Sequence, residues 1–189
     1  MVIVIVLVLI LSLVITTIAL FIIFYNKFQV LKNGAETGLS QIDVALQKRL
    51  DLISQLVECV KNYAQFERNI MEKITELRCS IQKQKNPENI DSVNEKSIGI
   101  LDKILMVLEG YPNLKTSTNV SDLMKSIIQV EDEIARLRYT YNNIVQDYNT
   151  RCKSFPSNIV AKFFSFSKIH YLKFEKSITI KPDMMWNNG

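Results

Sequence analysis

QIDVALQKRLDLISQLVECVKNYAQFERNIMEKITELRCSIQK, residues Gln41 to Lys83, is the stretch on which the fold turns. Ile42, Leu46, Leu50, Ile53, Val57, Val60, Ala64, Phe66, Ile70, Ile74, Leu77 and Ile81 recur at steps of three and four, with Phe66 alone two on. That is one apolar stripe along an α-helix. Charged residues, Lys48, Arg49, Lys61, Arg68 and Glu72 among them, fall largely between the stripe positions. Read as a single helix, the stretch is about 60 Å long. So narrow a stripe is not stable alone; it needs neighbouring helices to pack against.

Upstream, Gly34 and Gly38 mark a soft joint, where the helix either continues or hinges. Beyond it lies VIVIVLVLILSLVITTIALFIIF, Val2 to Phe24, without a charged residue, proline or glycine. As a helix this run is about 34 Å long, enough to cross a hydrocarbon core of roughly 30 Å. Ser12, Thr16 and Thr17 can bond their hydroxyls to the preceding turn. No basic residue precedes the run and no small-x-small site closes it, so an uncleaved anchor is expected rather than a signal peptide. Tyr25, Lys27 and Lys32 follow. The positive-inside rule then places the rest of the chain in the cytoplasm and a short N-terminus outside the cell membrane.

Downstream, the polar stretch Gln82 to Asn89 contains Pro87 and ends the first long helix. A second helix is predicted from Asp91 or Ser92, carrying Ile98, Leu101, Ile104, Leu105 and Leu108 and closed by Gly110-Tyr111-Pro112. Asn119 can cap a third, about 50 Å long, with Val120, Leu123, Ile127, Val130, Ile134, Leu137, Tyr141, Val145 and Tyr148 inward. Phe155-Pro156 stops it. Ser157 can cap a shorter fourth helix with Ile159, Phe163, Phe166 and Ile169 on its apolar side. The expected fold is all-α: an elongated antiparallel helical bundle, three long helices plus a shorter fourth, behind one N-terminal transmembrane helix. The expected divisions are an anchor over 1–25, a bundle over 26–170 and an extended or loosely ordered tail over 171–189. A single stripe per helix serves packing within the chain or a coiled-coil oligomer equally well, so self-association stays open.

Composition narrows the chemistry. The net charge of +4 suits an anionic surface but is too weak for nucleic acid. Cys59, Cys79 and Cys152 are odd in number and widely spaced, which indicates neither a zinc knuckle nor a disulfide framework. A di-metal bundle site needs Glu three residues before His. The single histidine, His170, has Phe166 four before it and Ser167 three before it. With one histidine, Cys–His and Ser–His pairs have almost no material to form from. No glycine-rich phosphate loop is present. No catalytic residue, metal ligand or cofactor is expected.

The most suggestive local feature is an aromatic and basic run: Lys162, Phe163, Phe164, Phe166, Lys168, Tyr171, Lys173, Phe174 and Lys176. Interfacial membrane segments mix rings with lysines in this way. Closure of the bundle by buried phenylalanines is the plainest reading, with membrane-surface contact and partner docking beside it. If the helices alternate in direction, Phe155-Pro156 lies at the end away from the membrane, which favours closure. On the third helix Tyr141-Asn142 and Tyr148-Asn149 repeat at seven residues and so share a face. Buried asparagines there are expected to fix the register of packed helices.

The order of segments resembles the LemA family. The resemblance runs from the anchor through Tyr25-Asn26, Ser40-Gln41-Ile42-Asp43-Val44, Leu46, Lys48-Arg49, Asp51-Leu52-Ile53, Leu56-Val57-Glu58, Val60-Lys61, Tyr63-Ala64 and Glu67. It continues with Tyr111-Pro112-Asn113-Leu114-Lys115, Glu131, Ile134, Arg138, Tyr141-Asn142, Tyr148-Asn149 and Phe155-Pro156-Ser157-Asn158-Ile159-Val160-Ala161. Leu39, Ser54 and Phe66 depart from the residues usual in that family. The resemblance implies a membrane-anchored helical bundle and carries over no active site. The functional expectation is a non-catalytic scaffold or regulator of other membrane proteins. The alternative is a lipid- or envelope-binding sensor that uses the aromatic-basic segment. The bilayer and a membrane-protein partner are the expected partners.

Overall fold

A computed structural model of the chain describes residues 1–61, 69–83 and 86–173. Helix α1 runs unbroken over Val2–Val60, 59 residues or about 88 Å. Helix α2 spans Asn69–Lys83, α3 Pro87–Glu109, the single turn α4 Pro112–Lys115, α5 Thr118–Lys153 and α6 Ser157–Phe163. No strand occurs among the described residues. The fold is an all-α bundle, as the stripes predict.

The joint at Gly34 and Gly38 is not a hinge, because α1 continues through both. A Cβ added at Gly34 would meet Ile144 at 3.6 Å, and one at Gly38 would meet Tyr141 at 3.5 Å. Both are ordinary contacts, so neither position needs glycine for space.

The expected single helix from Gln41 to Lys83 is corrected. Arg78 donates to Asp51 Oδ1 at 2.7 Å and to Ser54 Oγ at 3.1 Å. On one straight helix those residues would stand about 40 Å apart. Helix α2 therefore lies back along α1, antiparallel to it. Residues on either side of a reversal keep the same three-and-four spacing, so periodicity is blind to the change of direction.

The extra reversal also overturns the expected placement of Phe155-Pro156. Phe28 packs on Tyr148 and Gly34 faces Ile144, while Gly38 faces Tyr141 and Arg49 pairs with Glu131. Helix α5 thus runs antiparallel to α1 along most of its length and ends beside the apolar run, not at the far end. We call the end near Phe24 the base and the end near Val60 the tip. The hairpin of α2 and α3 covers α1 and α5 toward the tip.

Helix starts differ in detail from the sequence reading. Pro87 does not only end a helix; it occupies the first turn of α3, where its missing N–H costs nothing. Asn86 caps α3, its Oδ1 accepting from Asn89 N at 2.7 Å, in place of Ser92. Ser117, not Asn119, precedes α5.

The core runs the length of the bundle through Ile42, Leu46, Leu50, Ile53, Ile74, Leu101, Ile104, Ile127, Ile134, Tyr141 and Val145. Charged residues are buried beside it, Asp43, Arg49 and Arg138. Arg49 is fully buried and joins three helices. Its Nη1 donates to both Glu131 oxygens, at 3.0 and 2.9 Å, and its Nη2 to Asn94 Oδ1 at 2.6 Å and to Ser97 Oγ. The reading that set Arg49 between stripe positions is therefore corrected. It stands three after Leu46 and four before Ile53, which is a core position.

Candidate functional site

At the base, α1 and α5 are joined by α6 and by the chain that follows it. Helix α6 turns Ser157, Val160 and Ala161 inward, where Val160 and Ala161 cluster with Phe28 and Tyr148. The sequence reading placed Ile159, Phe163, Phe166 and Ile169 on the apolar side of a longer helix. That is corrected: α6 stops at Phe163, and its other face carries Ile159 and Phe163 to the surface. Phe155 is 80% exposed, Ile159 50% and Phe163 73%. Ile159 and Phe163, four apart, share the outward face of α6, and Phe155 is exposed in the turn that precedes the helix.

Helix α6 ends in a Schellman motif. Phe166 N donates to Ala161 O at 2.9 Å and Ser165 N to Lys162 O at 3.3 Å, with Ser165 at φ 56°. Glycine is the usual residue for that left-handed position; serine there carries about 1 kcal/mol of strain. The turn throws Phe166 back over the base. Its ring stacks on Phe28 at 4.8 Å between centroids and lies 5.9 Å from Tyr25. Phe164 sits 4.7 Å from Tyr25, and Phe163 meets Phe21 edge-on at 6.3 Å. Phe21 belongs to the last turns of the apolar run, so the aromatic collar lies level with its exit.

From Phe166 to Lys173 the chain is extended and climbs α5 toward the tip. Two asparagines hold it. Asn149 Nδ2 donates to Ile169 O at 2.9 Å, and its Oδ1 accepts from Ile169 N at 3.0 Å. Asn142 does the same for Leu172, at 3.0 and 2.9 Å. Each side-chain amide stands where a neighbouring strand's backbone would stand. Seven residues of helix rise about 10.5 Å and three residues of extended chain about 10 Å, so the two spacings match. Tyr141 donates its hydroxyl to His170 O at 2.9 Å. Arg138 donates to Lys173 O and pairs with Asp91 at 2.8 Å, while Asp91 accepts from Lys173 N at 3.1 Å. Leu172 is buried in the core. The expectation that these asparagines register helix against helix is corrected, since their partner is backbone. Burial, with the Asp91 charge adding to it, pushes the Tyr141 hydroxyl up to about 12. Burial likewise raises Tyr148 and Cys152.

The predicted run is thus partly gathered. Phe163, Phe164 and Phe166 belong to the collar, with Lys162 and Lys168 exposed beside it. Tyr171 and the Lys173 side chain face solvent higher up. Phe174 and Lys176 lie outside the described residues. The sequence reading did not include Phe21, Tyr25, Phe28 and Tyr148, which receive the run. Their signal was the four-and-three spacing of Phe21, Tyr25 and Phe28 on one helix face. Among the described residues no group of three or more His, Cys, Asp or Glu converges to hold a metal ion.

The family model for the LemA family matches residues 38–185, most of the chain. The chain belongs to the LemA family. Magnetosome protein MamQ 2 of Paramagnetospirillum magneticum is 24% identical over 186 residues, covering 85% of this chain and 68% of that protein. Magnetosome protein MamQ of Magnetospirillum gryphiswaldense is 24% identical over 173 residues, covering 78% of this chain and 64% of that protein. Protein LemA of Metamycoplasma hominis is 26% identical over 156 residues, covering 78% of this chain and 70% of that protein. The match to the LemA family takes in α5, α6 and the whole clamped segment. One described helix, α1, is long and apolar enough to cross a membrane.

Proposed function

We propose that this LemA-family chain is a non-catalytic, single-pass membrane protein whose bundle is seated on the bilayer by its aromatic-basic collar, where it organises or regulates neighbouring membrane proteins. The observation that carries the reading is the exposed apolar set Ile159 and Phe163 on α6 and Phe155 just before it, with Phe163 against Phe21 near the end of the apolar run. Apolar side chains grouped toward water are unfavourable; at the headgroup boundary they are matched. Lys153, Lys162 and Lys168 around them are exposed and favour an anionic surface. In this arrangement Lys27 and Lys32 lie in the cytoplasm with the bundle.

The test uses the full chain in vesicles. Trp186 is the single tryptophan, so Trp186→Phe with Phe155→Trp carries one reporter. Brominated lipid is expected to quench that fluorescence, more strongly in anionic than in neutral vesicles. An unquenched signal from protein that floats with the vesicles would leave the anchor standing and remove the seated collar. Protease applied outside sealed cells is expected to spare the bundle.

A further inference from the structure

We propose that the clamped segment, Phe166 to Lys173, exchanges between neighbouring copies of this chain, each copy's Asn142 and Asn149 holding the other's segment. The inference rests on the anchored arrangement proposed above, which sets copies side by side at one height.

The clamp reads backbone. Asn142 and Asn149 bond the N–H and C=O of Leu172 and Ile169, and Tyr141 bonds the His170 carbonyl. The side chains that fill the groove, Phe166, Ile169 and Leu172, are the same in every copy. The groove therefore offers a copy's segment every contact that it offers its own. The joint is also short: Phe164 and Ser165 alone separate α6 from Phe166. Ser165 is the strained one, at φ 56°. Swinging the segment out frees Ser165 to an ordinary conformation, and docking it on a neighbour regains the clamp. Exchange of an identical element in this way is a low-cost route to dimers. Confinement in a bilayer raises the effective concentration of the neighbour. In both copies the joint stands level with Tyr25 and Phe28, so the segment moves sideways and needs no vertical reach.

The experiment mixes ordinary and ¹⁵N-labelled full-length protein in vesicles, with photoreactive benzoylphenylalanine in place of the exposed Tyr171. Cross-links to α5 are assigned by mass. Mixed-isotope pairs are expected in the wild type. Proline cannot adopt a φ of +56°, so Ser165→Pro disallows the closed joint and should raise mixed pairs several-fold. Ser165→Gly relieves the strain of the closed form and should lower them. Asn142→Ala with Asn149→Ala should abolish cross-links to α5 of either kind. Same-isotope pairs alone, in both the wild type and Ser165→Pro, would overturn the exchange. The same samples are floated on a density gradient. Protein that floats but yields only same-isotope pairs refutes the exchange and keeps the anchor; protein that fails to float overturns both.

Discussion

At the tip, α1 and α5 are covered by two more helices; at the base they are covered by the seven-residue α6 and an extended strip of chain. The tip closes with interlocking aliphatic side chains around the buried Arg49 and its partner Glu131. The base closes with stacked rings and with asparagines that imitate a strand. Both ends exclude water from α1 and α5, but they fail in different ways. Packed helices lose contacts one residue at a time. A clamped backbone depends on a few paired hydrogen bonds whose loss frees the whole strip.

The largest expected effect separates the two ends at Arg49. Arg49→Ala strands Glu131, Asn94 and Ser97 at a three-helix junction and should cost roughly 3–5 kcal/mol, read by urea unfolding followed by circular dichroism. Arg49→Met with Glu131→Leu should recover most of that loss, because a well-packed apolar pair can replace a buried ion pair. Recovery would show that the tip needs volume rather than charge.

Next comes the alkaline limit of the base. Tyr141 is raised to about 12 from 10.0, so above pH 10 proton release favours the unfolded chain. Stability is fully present below about pH 10 and falls through about pH 12, by roughly 2–3 kcal/mol in all. Tyr141→Phe should remove that step at a cost near 1 kcal/mol at neutral pH for the lost His170 bond. Equilibrium unfolding at a series of pH values tests both.

Asn142→Ala leaves the buried N–H and C=O of Leu172 unpaired and should cost about 1–3 kcal/mol. Amide exchange should quicken from Ile169 to Lys173 and stay unchanged in α2 and α3. Faster exchange in all of them would erase the distinction between base and tip. The smallest effect is a gain: Gly38→Ala should stabilise by about 1 kcal/mol in thermal melts, because its methyl meets Tyr141 at an ordinary 3.5 Å.

Much of this architecture is legible in the chain itself. The all-α bundle and the apolar run follow from spacing and from the lack of charge, and Thr16 and Thr17 do bond the preceding turn, at 2.8 and 2.9 Å. What periodicity cannot carry is direction. The stripe from Ile42 to Ile81 keeps its three-and-four spacing on α1 and on α2 although the two helices run in opposite directions. From that missed reversal came the wrong end for Phe155-Pro156. The seven-residue repeat of Asn142 and Asn149 was visible, but a repeat names a face and not its partner. An extended segment whose apolar residues, Phe166, Ile169 and Leu172, come every third position mimics helix spacing closely enough to be read as one.

Helix α1 has no break between the apolar run and the tip. In the anchored arrangement proposed above this makes it a lever. About 54 Å of helix separate Phe24 from Val60. A tilt of about 10°, well within what a change of bilayer thickness imposes on a spanning helix, would carry the tip sideways by roughly 9 Å. A thinning of the membrane too slight to disturb any contact in the bundle would thus become a displacement, several tens of ångströms above the lipid, larger than a side chain.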